Sequence, residues 1–481
     1  MMLLPDHIHF IGACGRAMSG VIAAVADLGV RVTGSDNEDT YGSARQWLAK
    51  KGIIIRTGFS PRNLDPIPAL AVIGRQHGRG NTEVECILER RIPYLSLPEF
   101  LSFYFLNGSR NILVTGSKGK TTTTAMLVKI LESAGLAPGY MIGGMPRSGI
   151  DPVKLGQSIY VLEADDYSTL WWNDNPKALY YRPEVVVICN SFNDHPEHHT
   201  NKDVRLRHFT ALIEQLPQNG LLVLADCKKS TGLDCFMKVA PCPVRTVDTV
   251  DGYGEAILGY KKVQKGAVFK WRGADFFLDV NGYMNARNAV SAAIAAQHLG
   301  VTPDIAASAL SRFAGVSGRM ECALSTKELD VYIDCYGYLP ESLAENMSAL
   351  KDMYPERRHV LVYQLLIVDG IPEAQRPLQI SLAAWDKVLI ASYQASSPLL
   401  VPPGDDYLAN LEATLREIGI DATFIGPLEN SLNVLPDLVE AGDVLFFSVH
   451  PRSADLAWRI AHHTSTHENT HHQQYACKLG W

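Results

Sequence analysis

The run Ile112-Leu113-Val114-Thr115-Gly116-Ser117-Lys118-Gly119-Lys120-Thr121-Thr122 decides how this chain folds. Its first four residues are apolar and mostly β-branched, which predicts a buried strand. Beyond it, Ala125, Met126, Ile130, Leu131 and Ala134 recur at helical spacing. The glycines therefore lie between a strand and a helix N-terminus, where unpaired backbone N–H groups and the helix dipole favour an anion. Lys120 adds a point charge suited to β- and γ-phosphates, and the Thr121 hydroxyl suits a bound Mg²⁺. A full phosphate loop carries glycine six residues before its lysine, and Val114 stands there instead. The pattern that fits is the shorter T-G-x-x-G-K-T. A plain glycine-rich turn with a surface lysine is the alternative.

Outward from this stretch, short β-rich runs alternate with helical ones almost throughout. That predicts an α/β fold with mainly parallel sheets. The pattern restarts at residues 7–11, 111–115 and 359–363, with later strands at 387–391 and 444–448. In the first restart, Gly12, Gly15 and Gly20 follow a strand, and Asp36 comes about twenty positions on, as in dinucleotide-binding turns. The spacing departs from G-x-G-x-x-G, and a purely structural strand–helix turn explains the same glycines. Residues 158–162 read as a strand ending in Glu163-Ala164-Asp165-Asp166-Tyr167. Residues 185–189 read as another, ending in Asn190 with Asp194 and His195 beyond. Acids and a histidine at the carboxyl ends of parallel strands are where open sheets build sites. Glu163 with Thr121 suffices for one Mg²⁺, and His195 could hold a second ion.

Composition limits the function classes. The chain has 481 residues, 47% of them hydrophobic and 20% charged, the balance of a soluble enzyme of several domains. A net charge of −7 without a basic stripe argues against nucleic acid as a partner. The apolar runs are of strand length, so no membrane insertion is expected. The opening residues lack a positive leader and a long apolar stretch, which predicts no signal peptide and a cytoplasmic chain. The nine cysteines show no metal-ligand spacing and read as reduced thiols. The residues from His462 onward are polar and histidine-rich and read as a tail.

In order and spacing these motifs resemble the Mur ligases, most closely those joining an amino acid or peptide to UDP-N-acetylmuramate. The resemblance spans roughly residues 7–322, through Gly12, Gly15 and Gly20; Thr33-Gly34-Ser35-Asp36; Gly80-Asn81; Thr115–Thr123; Ile142-Gly143-Gly144; Glu163–Tyr167; Asn190 with Asp194-His195; Asn285 and Asn288; and Arg319-Met320-Glu321. It implies three domains: a Rossmann-like domain (1–107) for a UDP-sugar or other carboxylate substrate, a central P-loop ATPase-like domain (108–323), and a Rossmann-like domain (324–461) for the amine, followed by the tail (462–481). Gly116, Ser117, Lys118, Gly119, Lys120, Thr121, Thr122, Asn285, Asn288, Arg319 and Asp334 would face ATP. Thr121, Glu163 and His195 would hold Mg²⁺. Lys120, Glu163, His195 and Arg319 would carry the chemistry. Gly12, Cys14, Gly15, Arg16, Ala17, Met18, Ser19, Ser35, Asp36, Asn81 and Asn190 would bind the carboxylate substrate. The implied reaction passes through an acyl phosphate that an amino acid or peptide amine then attacks.

From Val331 the likeness weakens. Asp334-Cys335-Tyr336-Gly337-Tyr338-Leu339-Pro340-Glu341-Ser342 replaces the relatives' D-D-[YF]-A-H-H-P. The segment from Gln364 to Gly370 replaces an E-P-[RH] segment, and Val449-His450-Pro451-Arg452 replaces a glycine-rich turn. The expectation is an intact ATP site with a rebuilt amine pocket: a paralogue of changed amine specificity, or one outside peptidoglycan metabolism. A non-catalytic nucleotide-binding scaffold and a P-loop kinase are the competing readings.

Overall fold

The computed structural model describes residues 3–37, 42–165, 168–190, 202–225, 233–247, 254–263, 266–337, 340–365, 378–393 and 404–463. The chain forms two compact units, Met1–Val280 with Met284–Ala314, and Gly315–Leu479 with Asn281–Tyr283. The first unit contains two parallel-based sheets and the second contains one.

The first sheet is built from β1 (His7–Ile11), β2 (Arg31–Asp36), β3 (Ile55–Thr57), β4 (Leu70–Ile73) and β5 (Tyr94–Ser96). Its order is β3-β2-β1-β4-β5 and every pairing is parallel. Successive strands leave β1 in opposite directions, so a crevice opens at the carboxyl end of β1. Into it project Gly12 after β1, Ser35 and Asp36 ending β2, and the turn after β4.

The second sheet comprises β6 (Arg110–Thr115), β7 (Gly139–Met141), β8 (Val153–Lys154) and β9 (Ile159–Glu163) on one side. A two-stranded hairpin, β10 (Ser168–Leu170) and β11 (Asn173–Pro176), lies apart from it. The sheet continues with β12 (Val185–Ile188), β13 (Leu221–Ala225) and β14 (Val244–Val247). The order β14-β13-β12-β6-β9-β7-β8 makes β6 the strand at which the winding reverses. Ile112, Leu113 and Val114 are fully buried. That is why the opening run is apolar without alternation: both faces of a central parallel strand are covered. Packing such a side chain away from water contributes about 1.5–3 kcal/mol. A three-stranded antiparallel sheet, β15 (Leu258–Lys262), β16 (Ala267–Trp271) and β17 (Ala274–Leu278), comes next; its weak period in the sequence gave no cue to it.

The second unit holds β18 (Glu321–Ser325), β19 (Leu329–Asp334), β20 (His359–Gln364), β21 (Lys387–Ser392), β22 (Ala422–Pro427) and β23 (Asp443–Ser448). Its order is β18-β19-β23-β20-β21-β22, with β18 alone antiparallel. Apolar clusters cover both faces, one around Val331, Leu445 and Phe447 and the other around Leu361, Trp385 and Phe446. Because β18 starts at Glu321 and the unit at Gly315, this sheet takes in residues that the sequence reading puts before position 324. The helix Ala454–His463 carries through His462, where the sequence reading begins the tail; residues 464–481 lie outside the described residues.

Beneath the first crevice lies a buried ionic network. Glu83, fully buried, accepts hydrogen bonds from Ser35 Oγ (2.5 Å), Asn63 Nδ2 (2.5 Å) and Ser60 N (3.0 Å), and pairs with His9 Nε2 at 3.3 Å. Burial pushes the Glu83 carboxyl upward, but the bonds from His9, Ser35, Ser60 and Asn63 outweigh it and leave the group below its ordinary value. A depressed acid stabilises the fold above its unfolded-state value of 4.5 and loses that contribution as pH falls through the folded value. Glu83→Gln should therefore cost about 2–4 kcal/mol at pH 7. Its melting temperature should also fall less than that of the wild type as pH drops from 6 to below 4.5. Parallel acid slopes in thermal melts would contradict this role.

Candidate active site

The phosphate loop leaves β6 at Thr115. Gly116 (φ +117°) and Gly119 (φ +81°) both hold left-handed backbone, where only glycine is unstrained. Gly119 is the N-cap of the helix Lys120–Ser133, and no side chain caps that end, so its first amides point at the space where an anion is favoured. Close packing adds a second demand for glycine. A Cβ on Gly119 would stand 2.6 Å from Asn288 Oδ1, and one on Gly116 would stand 2.7 Å from Asn190 O.

Lys120 Nζ donates to Gly116 O at 2.8 Å and lies 3.9 Å from Asp165 Oδ1. The Thr121 hydroxyl donates to Glu163 Oε1 at 3.1 Å, and the Gly143 amide donates to Glu163 Oε2 at 2.8 Å. Strand pairing sets this geometry: Val114 on β6 is in register with Glu163 on β9. A side chain at Gly143 would collide with the Glu163 carboxylate. On the other side of β6, Asn190 follows β12. Its Oδ1 accepts from Ser117 N (2.8 Å) and Lys118 N (3.1 Å), and its Nδ2 donates to Lys118 O (3.2 Å). Asn190, a candidate contact of the carboxylate substrate in the sequence, here holds the phosphate loop through its amide. Asn285 and Asn288 sit on the helix Tyr283–His298, joined through Asn288 Nδ2 and Asn285 Oδ1 at 3.2 Å, with Asn288 against Gly119. His195, with Asp194, Asp166 and Tyr167, lies outside the described residues.

Charge accumulates around the loop. Lys177, at the start of a 3-10 turn after β11, sits 3.8 Å from Asp165 Oδ2. Burial lowers its ammonium to about 8; Asp165 and Glu163 oppose the shift, while Arg75 and Lys120 add to it. The sequence reading passes over Lys177, since a lysine after Asn175-Pro176 carries no pattern, and it passes over Arg75 as well. The neighbouring pair Trp171-Trp172 was the readable cue. Trp172 meets Tyr94 edge-on with ring centroids 5.2 Å apart, and a Cβ on Gly78 would stand 2.6 Å from Trp171. The hairpin thus rests on β5 and on the turn after β4, and Lys177 beyond it lies beside Asp165 and the phosphate loop.

In the first crevice, the helix Arg16–Asp27 starts at Gly15 without a side-chain cap. Gly15, Arg16 and Ala17 are partly exposed, whereas Cys14, Met18 and Ser19 are buried. Burial raises the Cys14 thiol to about 11, with Asp36 adding to the shift. Asp36 is also buried and accepts from Cys14 N (2.7 Å) and Asn37 N (2.8 Å). Ser35 turns its hydroxyl to Glu83, and Asn81 Oδ1 caps the helix Thr82–Glu89 by accepting from Glu83 N and Val84 N. The sequence reading assigns Ser35, Asp36 and Asn81 to substrate contact. Here Asp36 and Asn81 meet backbone amides and Ser35 meets the buried Glu83 carboxylate, so these side-chain atoms also shape the crevice from within. His77, which the reading passes over, packs its ring against Gly12, where a Cβ would stand 2.5 Å from Nε2.

In the second unit, Asp334 ends β19 and accepts from Tyr336 N (2.8 Å), Met320 N (3.3 Å) and Asn346 Nδ2 (3.3 Å). The Arg319 guanidinium stacks on the Tyr336 ring at 3.6 Å. Gln364 ties three strand ends together: Oε1 accepts from His450 N (3.0 Å) and Nε2 donates to Ser392 O (3.2 Å).

A glycine loop on a helix N-terminus, with its lysine and a threonine paired to a facing carboxylate, defines a nucleotide-triphosphate enzyme on an α/β scaffold. Residues 7–106 match the family model described as Mur ligase family, catalytic domain, and residues 114–296 match the Mur ligase middle domain. The UDP-N-acetylmuramate–L-alanyl-γ-D-glutamyl-meso-2,6-diaminoheptandioate ligase of Haemophilus influenzae is 30% identical over 354 residues, covering 72% of this chain and 76% of that one. The UDP-N-acetylmuramate–L-alanine ligase of Methylococcus capsulatus is 28% identical over 451 residues, 92% of each chain. Among solved structures, UDP-N-acetylmuramate-alanine ligase from Thermotoga maritima superposes with a TM-score of 0.76 at 20% identity, covering 96% of this chain and all of that one. The chain belongs to the Mur ligase family of ATP-dependent ligases and has its three-domain architecture.

Because the Gly143 amide and the Thr121 hydroxyl both fix Glu163, Gly143→Ala should displace that carboxylate. Misplacing a reacting group by about 1 Å can cost around 10²-fold in rate. Steady-state kinetics should show at least a tenfold fall in kcat with an unchanged melting temperature. Wild-type kcat in this variant would contradict the role given to Glu163.

Proposed function

We propose that the protein joins a UDP-N-acetylmuramate-like carboxylate to an amino acid or peptide amine, with ATP as the energy source. The observation that carries this reading is the placing of Lys120, Thr121 and Glu163 around one loop, with Asp165 beside them. The donor carboxylate oxygen bonds to the γ-phosphorus while the bond from that phosphorus to the β–γ bridging oxygen breaks, and ADP leaves with the electron pair. The amine nitrogen then attacks the carbonyl carbon of the acyl phosphate, the C–O bond to phosphate breaks, and the nitrogen gives up a proton. Lys120 offsets charge on the phosphoryl oxygens, and the loop amides fix their position.

A hydroxyl and a carboxylate 3.1 Å apart form the oxygen donor set that Mg²⁺ prefers, so Thr121 and Glu163 would hold the ion. Among the described residues no group of three or more His, Cys, Asp or Glu side chains could hold a metal ion. Bound at Thr121 and Glu163, Mg²⁺ supplies charge neutralisation at the phosphates. His195 is proposed as a further ligand, Asn285, Asn288 and Asp334 as nucleotide contacts, and Arg319 as a contact of the transferring phosphate.

The first crevice, at the carboxyl end of β1, is proposed to take the sugar nucleotide at Gly12, Gly15, Arg16 and Ala17. Domain limits at 107 and near 323 are proposed from the family resemblance, with the second compact unit beginning at Gly315. Use of Gln364 as a tie between strand ends, where relatives carry E-P-[RH], supports a changed amine specificity. No described helix is long and apolar enough to cross a membrane.

The test is Mg²⁺- and ATP-dependent phosphate release with UDP-N-acetylmuramate against a panel of amino acids and short peptides. Release that needs both the sugar nucleotide and one amine is expected, and Lys120→Ala should lower it by ~10²-fold or more without unfolding the protein. ATP binding with no release across the panel would favour a non-catalytic scaffold. Phosphate found on a product, with none set free, would favour a kinase.

A further inference from the structure

Asp165 is held between two lysines. Its Oδ1 lies 3.9 Å from Lys120 Nζ and its Oδ2 lies 3.8 Å from Lys177 Nζ. Both distances exceed a hydrogen bond, so the contacts are ion pairs without directional character. The lysines come from separate elements: Lys120 opens the loop helix, and Lys177 opens the 3-10 turn Lys177–Tyr180 after the β10–β11 hairpin. Pro176 precedes that turn, Asn173 Nδ2 is hydrogen-bonded to Tyr180 Oη, and Ala178 and Tyr181 are buried, so the backbone under Lys177 is fixed. The side chains of Lys120 and Lys177 are only 10% and 16% exposed.

Arg75 lies in the turn after β4 of the first sheet and is close enough to weigh on the Lys177 charge, as are Lys120 and Glu163. Two lysines therefore flank the Asp165 carboxylate beside the phosphate loop, with the charges of Arg75 and Glu163 near enough to act on Lys177. A reaction that brings a carboxylate against a triphosphate must overcome repulsion between anions. A partly desolvated lysine opposite the phosphate-loop lysine counters that repulsion, since charges at such sites are weakly screened.

We propose that Lys177 is a second charge-stabilising residue of the transfer site, gripping with Lys120 the anion formed where the donor carboxylate meets the γ-phosphoryl group. The proposal rests on the ligase reading for its acyl phosphate, and it extends that reading to a residue outside the loop. The hairpin before Lys177 packs through Trp171 and Trp172 on Gly78 and Tyr94 of the first sheet's region, which assigns Lys177 to the transferred phosphate rather than to the ADP part of the nucleotide.

Orthophosphate separates those two parts and needs no donor. Its affinity for the full-length protein saturated with Mg²⁺ and ADP is measured by calorimetry, beside the affinity for ADP itself. A hydrogen bond to a charged group is worth ~1.5–3 kcal/mol, so Lys177→Gln should weaken orthophosphate by about 10- to 100-fold. ADP affinity should stay within about threefold, and Lys177→Arg should restore most of the loss. The proposal is overturned by unchanged orthophosphate affinity in Lys177→Gln, by equal loss of ADP and orthophosphate affinity, or by a wild type that binds no orthophosphate. Should Lys177→Gln fail to fold, Asp165→Asn with Lys177→Gln, compared with Asp165→Asn alone, removes the paired charges together and is read the same way. A wild type that ignores UDP-N-acetylmuramate would sink the donor assignment only, because the orthophosphate comparison decides Lys177 independently.

Discussion

The Glu163 carboxylate is held from two sides, by the Thr121 hydroxyl at the start of the loop helix and by the Gly143 amide beyond β7. Neither contact forms unless β9 lies beside β6 with Val114 opposite Glu163. A slip of one residue in that pairing would turn Glu163 to the other face of the sheet. The buried run at 112–114 fixes the register, since moving it would expose apolar side chains or bury polar ones. The second sheet thus serves chiefly to bring a carboxylate to the phosphate loop at a set distance.

The same economy recurs at other strand ends. Asn190 at the end of β12 holds two loop amides, Asp36 at the end of β2 holds the glycine turn, and Asp334 at the end of β19 holds the turn before β18. Each polar side chain meets a backbone donor that packing would otherwise leave without a partner. Such groups are costly to bury alone and stabilise one loop conformation when satisfied. Catalytic loops of this kind need to be rigid before substrate arrives.

Much of this was legible in the sequence. The phosphate loop, β6, β9 and β12 carry continuous apolar runs that end in glycine, glutamate and asparagine, and the structure pairs Thr121 with Glu163 across β6 and β9. Less legible was what a side chain does once it is buried. That Asp36, Asn81 and Asn190 meet backbone amides, and Ser35 the Glu83 carboxylate, shows only in three-dimensional packing. The antiparallel sheet β15–β17 and the hairpin β10–β11 escaped because short strands without a clear period resemble loops. Lys177 and Arg75 escaped because their meaning lies in proximity between distant segments, which no local spacing encodes. In the second unit the departures at Gln364 and His450 were readable, but their joint role in tying three strand ends was not.

The proposed chemistry turns on a carboxylate that attacks ATP through its own oxygen. The most direct measurement uses a donor labelled with ¹⁸O in its carboxylate, with mass analysis of the phosphate released during amide formation. One labelled oxygen per phosphate, derived from the donor, is the predicted result. Phosphate without label, released alongside amide product, would contradict an acyl phosphate and with it the role given to the loop and Glu163.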